Sequence, residues 1–107
     1  MVSKYRAVRT EVDGIVFHSK AEARKYCELK LMQKAGLIEG LECQPKFDAI
    51  VNGEKICTII LDFRYFDKEK DQLVYVDTKG KDTPVSSLKR KLLLALYPDV
   101  NLTVDYT

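Results

Sequence analysis

Apolar and polar positions along this chain change period several times, and each change marks an element. Tyr5 to Thr10 and Ile15 to Phe17 flank Asp13-Gly14, the pattern of a hairpin closed by a type I′ turn. Ser19-Lys20-Ala21-Glu22 has the form of a capping box, in which hydroxyl and carboxylate satisfy each other's free backbone donors. A helix is predicted from there to about Ala35, stopped at Gly36, with Ala23, Tyr26, Cys27, Leu31 and Ala35 as its apolar stripe. Leu41 to Val51 reads as a strand with a break or an edge at Pro45. Asn52-Gly53 signals a second type I′ turn, and Lys55 to Phe66 is the returning strand. Within it Ile56 to Leu61 is almost wholly apolar, which predicts burial on both faces and a central position. The polar turn Asp67 to Gln72 leads into an apolar strand, Leu73 to Thr78. Thr83-Pro84, an N-cap followed by proline at the first helical position, starts a second helix that runs to Tyr97. Val85, Leu88, Leu92 and Ala95 are predicted to face the core, and Lys89, Arg90 and Lys91 to point away. Asn101 to Tyr106 is a last short strand.

This order predicts an α+β fold, a central mixed sheet flanked by two helices. A length of 107 residues suits one domain with one core. The apolar fraction (46%) and charged fraction (32%) are those of a soluble globular protein, and a net charge of +2 permits a nucleic-acid partner without arguing for one. Three cysteines at wide spacing and a single histidine make a closed zinc site implausible; they read as reduced, partly buried thiols. No apolar run approaches the roughly 20 residues of a membrane span, and Met1 to Arg9 lacks the apolar region of a signal peptide. A cytoplasmic location is expected.

The chemistry concentrates in one hairpin. Its hydrophilic turn is symmetric about the Glu69–Lys70 bond, and pairing about that centre sets Asp62 opposite Asp77. Period-2 alternation then places Lys79 on the Asp77 face. Two facing carboxylates between apolar strands repel and are costly to bury. A divalent cation with a taste for hard oxygen ligands, Mg²⁺ or Mn²⁺, would offset that cost. Lys79 bridging both aspartates as a plain ion cluster would do so too, and the spacing leaves both readings open.

The wider pattern is more informative. A helical Glu22 precedes Asp62 on one strand and Asp77-x-Lys79 on the next. This order resembles the PD-(D/E)xK nuclease superfamily, and more narrowly its small phage-encoded endonucleases related to Holliday-junction resolvases. The resemblance rests on Phe17 to Tyr26, Leu41 to Phe47, Leu61 to Tyr65, Val74 to Gly80 and the basic segment Leu88 to Leu92, in order over nearly the whole chain. Two departures stand out: Leu61 replaces the proline of the superfamily motif, and Asp77 replaces the commoner glutamate, one methylene shorter.

What the resemblance implies is a restriction-endonuclease-like fold and a metal-dependent endodeoxyribonuclease, with selectivity for branched DNA as one option. Asp62 and Asp77 would hold Mg²⁺ or Mn²⁺ with the Thr78 carbonyl and Glu22, and Lys79 would orient the attacking water or stabilise developing charge. Glu22 also has a full structural explanation as the third helical residue of a capping box. DNA-contacting candidates are Arg6 and Arg9 on the first arm, Lys20, Lys81, and the run Lys89, Arg90, Lys91, although a charge run is usually a wet face. His18 reads as a packing histidine before a general base, and Gln44 as a strand residue or a group near the metal. Symmetric cutting of a junction implies a homodimer, and the phage kinship implies a bacterial host cytoplasm. The competing readings are a non-catalytic nucleic-acid-binding module on a nuclease-like scaffold and a protein that binds a host factor.

Overall fold

The computed structural model describes residues 9–79 and 82–106. Most of the predicted first arm, Tyr5 to Val8, lies outside them. Along the described chain run β1 (Thr10–Val12), β2 (Ile15–Phe17), α1 (Lys20–Lys34), β3 (Ile38–Cys43), β4 (Lys46–Val51), β5 (Glu54–Ile60), β6 (Phe63–Asp67), β7 (Gln72–Lys79), α2 (Pro84–Leu96) and β8 (Leu102–Tyr106). The central sheet has the order β3-β6-β7-β8, antiparallel through β7, with β8 parallel to β7. The fold is therefore α+β, with a mixed central sheet and two helices. Both type I′ signals act as expected, with left-handed φ at Asp13 and Gly14 and at Asn52 and Gly53.

Ser19 caps α1 by accepting from the Glu22 N–H (3.1 Å). The return half of the capping box differs, because the Glu22 carboxylate takes the His18 N–H (3.2 Å). At the far end Gly36 (φ 79°) closes a Schellman motif, its N–H donating to Gln33 and that of Leu37 to Met32.

The two long strands expected from Leu41 to Val51 and from Lys55 to Phe66 are each divided in two. Gln44 has φ 56°, and its N–H donates to the Asp62 carbonyl (2.9 Å), while the Leu61 N–H donates to the Pro45 carbonyl (3.0 Å). Cys43 pairs with Phe63 before the bend and Lys46 with Ile60 after it, so one register runs through. A single long hairpin thus folds over at Gln44-Pro45 and Leu61-Asp62, and its outer half leaves the sheet as the β4–β5 ribbon. This corrects the central position expected for Ile56 to Leu61. The ribbon buries one face only, leaving Ile56 and Ile60 more than half exposed.

Two cores follow. Under α1, Phe17, Tyr26 and Phe63 stack with centroids 5.0 to 6.4 Å apart, beside Leu29 and Val76. Under α2, Leu93 packs with Ala49, Ile59 and Leu61. Both helices are rotated from their predicted faces. The buried side chains of α1 are Glu22, Ala23, Tyr26 and Leu29, whereas Cys27, Leu31 and Ala35 are exposed. On α2, Val85 and Leu88 are about two-thirds exposed and Ala95 is exposed, while Lys89 and Arg90 are half-buried. On α2 the rotation turns the cationic Lys89 and Arg90 toward the cleft beside Asp77, and on α1 it buries Glu22 beside Asp62. The rotation predicts that Leu93→Ala, which empties a fully buried site, costs about 2–5 kcal/mol in urea unfolding. Leu88→Ala should fall within about 0.5 kcal/mol of the parent. Of the three thiols, Cys43 and Cys57 are half-buried as expected, whereas Cys27 is exposed, which corrects the expectation of partial burial for it. Among the described residues no helix is long and apolar enough to cross a membrane.

Candidate functional site

The β6–β7 ladder pairs Phe63 with Val76 and Asp67 with Gln72, the register inferred from the symmetry of the turn. One step further, Asp62 stands beside Asp77, and its N–H donates to the Val76 carbonyl (3.0 Å). Asp62 lies at the bend, where the chain leaves the sheet, so its carboxylate is not confined to one face. It turns onto β7 and accepts from both the N–H and the hydroxyl of Thr78, the latter at 2.8 Å. Strand alternation puts Asp77 and Lys79 together on the neighbouring face, with Lys79 Nζ 3.3 Å from the Asp77 carboxylate. From α1, Glu22 reaches the same place.

Burial and charge set the electrostatics. Among the described residues the buried acidic side chains are Glu22 (8% exposed) and Asp77 (4%). Burial pushes the Asp62 carboxyl up to about 6, aided by a side-chain hydrogen bond with Glu22 and opposed by the Thr78 donors. Burial also pushes Asp77 up to about 6; Lys79 opposes this rise and Asp62 adds to it. Glu22, Asp62 and Asp77 therefore form one chain of interacting carboxylates, with Lys79 at its end. Desolvation wins over the single ammonium, which leaves the cluster short of positive charge.

As they stand, no three acidic, histidine or cysteine side chains among the described residues are gathered as a ready cage for an ion. Each carboxylate is held by a donor of the chain itself: Glu22 by His18, Asp62 by Thr78, Asp77 by Lys79. The chemistry of the set fits a hard divalent cation, because its oxygens are anionic, adjacent and undercompensated. Thr78 contributes its amide and hydroxyl to Asp62, a role that its sequence position does not announce beside that of its carbonyl. Thr78→Val removes the hydroxyl without changing shape. It should cost about 1.5–3 kcal/mol at pH 7.5, where Asp62 is ionised, and less near pH 4.5, as read by urea denaturation.

A cleft of about 210 Å³ opens beside Asp77, lined by Asp77 and Lys79 of β7, by Thr58, Ile59 and Ile60 of β5 with Leu61 at the bend, and by Ser86, Lys89 and Arg90 of α2. Lys89 and Arg90 thus face the site, contrary to the expectation that they point away, and Lys91 is exposed. Arg9 and Lys20 are also exposed, at the chain's approach to β1 and at the start of α1. Arg6 and Lys81 lie outside the described residues. His18 and Gln44 have exposed side chains and take part through their backbone amides. Ser86 and Asp82 are not singled out by sequence. A serine in the first turn and an aspartate before a cap look like ordinary helix-start residues; the rotation of α2 brings Ser86 to the cleft, and Asp82 reaches its edge only through Arg90.

A family model described as "Protein of unknown function (DUF1064)" matches residues 2–106, and the chain belongs to that family. No match to the chain is found among curated proteins.

Proposed function

We propose that this DUF1064 member is a divalent-metal-dependent endodeoxyribonuclease that hydrolyses phosphodiester bonds, with Glu22, Asp62, Asp77 and Lys79 as its working residues. The observation that carries the reading is a run of neighbouring carboxylates, Glu22 on α1, Asp62 at the bend and Asp77 on β7, ended by Lys79 of the same strand. The donors of the chain offset only part of the cost of burying such a cluster. Two of its members sit near 6 chiefly through burial, so holding them ionised at neutral pH costs folding free energy. Charge-deficient sites of this kind are kept for what they bind.

Asp62 and Asp77 would hold Mg²⁺ or Mn²⁺, with the Thr78 carbonyl and Glu22 in support. When bound, the cation supplies Lewis acidity and neutralises charge at the scissile phosphate. The chain's own residues do the rest. Thr78 fixes the rotamer of Asp62 through two donors, so that carboxylate needs little reorganisation. The Lys79 ammonium, held at the Asp77 carboxylate, is placed to orient an attacking water and to stabilise negative charge on the phosphoryl oxygens. A water oxygen–phosphorus bond forms as the phosphorus–ester oxygen bond breaks in line; the attacking water gives up a proton to solvent, and the leaving alkoxide takes one up from solvent. Branched DNA is one option for the substrate, and cutting it by paired nicks would call for a homodimer.

The test is cleavage of supercoiled plasmid and of labelled four-way junctions by the purified protein with Mg²⁺ or Mn²⁺. Nicking that EDTA abolishes is expected. Both substrates left intact with either metal would overturn the reading.

A further inference from the structure

Arg90 and Asp82 do something that the cutting chemistry does not use. The two terminal nitrogens of the Arg90 guanidinium each donate to one oxygen of the Asp82 carboxylate, the first at 2.9 Å. The fork is filled in the two-pronged way an arginine takes a phosphate. The two partners are not equally rooted. Arg90 rides in the middle of α2, with 15% of its side chain exposed, and lines the cleft beside Asp77 and Lys79. Asp82 stands just ahead of the Thr83 cap, outside the helix, and its side chain is about twice as exposed. Lys89 and Ser86 line the same wall, the Ser86 hydroxyl accepting from that of Thr83 (3.1 Å).

We propose that Arg90, Lys89 and Ser86 form a seat for a backbone phosphate next to the scissile one, and that Asp82 fills the arginine fork as an internal stand-in until nucleic acid displaces it. This deepens the nuclease reading and rests on it. Position argues for the seat: the α2 wall faces Asp77 and Lys79 across one small cleft, so a strand whose scissile phosphate lies at Lys79 runs its neighbouring phosphate toward Arg90. Charge argues for the stand-in. Arg90 holds the Asp82 carboxyl below the usual carboxylate range, and Asp82 raises the guanidinium in return. The pair stays ionised across the working pH range, so a competing anion opens it and a pH change does not. A carboxylate in the fork also costs every ligand one ion pair, which only a ligand offering several phosphates at once regains.

The test measures binding of a labelled duplex and a four-way junction in EDTA, with Asp77→Asn present in every protein so that nothing is cut. Asp82→Asn should tighten binding about 3–10-fold, and Arg90→Ala should weaken it about tenfold. Arg90→Lys, which keeps the charge and loses the fork, should recover less than half of that loss on a logarithmic scale. The decisive comparison is Asp82→Asn in the Arg90→Ala background, where the gain should shrink below about twofold. In protein with Asp77 intact, Asp82→Asn should lower KM and leave kcat within about twofold. Equal gains from Asp82→Asn with and without Arg90, or no gain at all, would overturn the stand-in while leaving the nuclease reading in place. A protein that binds neither DNA would sink both.

Discussion

Asp77→Asn should abolish cleavage and, in metal-free buffer at pH 7.5, make the protein more stable. The loss follows from removing an anionic oxygen that would hold the cation, and a drop of about 10³-fold or more in kcat is expected. The gain follows from the raised carboxyl. Asp77 keeps its proton in the folded chain up to about pH 6, whereas the unfolded chain releases it in the ordinary carboxylate range. Between those limits the native state binds more protons than the unfolded state, so this group's contribution to stability falls as pH rises through that window. Above it the ionised group is a standing cost. Asparagine removes that cost, on the order of 1–3 kcal/mol after allowance for the Lys79 contact that is also lost. On a domain of this size each kcal/mol is about 4–8 °C in Tm. Near pH 4 the parent carboxyl is largely protonated and the two proteins should melt together. A variant that is dead as an enzyme and tougher as a fold is the expected mark of a site that holds stability in reserve for function.

Lys79→Ala should reduce kcat by about 10²–10³-fold through loss of the ammonium beside the reacting centre. It should also act on Asp77. Lys79 opposes the upward push on that carboxyl by its charge and by a hydrogen bond. Without it, Asp77 takes up its proton at still higher pH, and the acid limb of the pH–rate profile moves upward. Lys79→Arg keeps the charge and should leave the limb nearly in place while recovering only part of kcat, because a guanidinium presents its donors differently. A merely structural lysine would change Tm without moving the limb. Stopped assays across pH 5.5 to 8.5 separate the two outcomes.

The site is more legible in the sequence than the packing around it. Turn chemistry at Asp13-Gly14 and Asn52-Gly53 and the symmetry about Glu69–Lys70 are local rules, and they lead to the right hairpins and the right β6–β7 register. The side-by-side placement of Asp62 and Asp77 follows from that symmetry alone. The bend is half visible. Pro45 announces a break, but its partner at Leu61-Asp62 carries no breaker residue and bends because it is laddered to the other strand. The helix faces differ from their hydrophobic stripes for a reason that bears on function. Such a stripe marks the buried face only when the interior is apolar throughout, and here α1 turns Glu22 toward Asp62 while α2 turns Lys89 and Arg90 toward the cleft beside Asp77. Local pattern and global fold part company at this point, as expected where residues are kept for chemistry and not for packing.

Uptake of a divalent cation by the Glu22–Asp62–Asp77 cluster is what the proposed chemistry requires above all. Thermal unfolding of the parent chain at pH 7.5 against increasing Mn²⁺ reads this directly, since a ligand at about a hundred times its Kd stabilises by about 2.7 kcal/mol. The predicted result is a Tm that climbs with Mn²⁺ in the parent protein and stays flat in Asp77→Asn. A Tm indifferent to Mn²⁺, or one that climbs equally in both proteins, would contradict it.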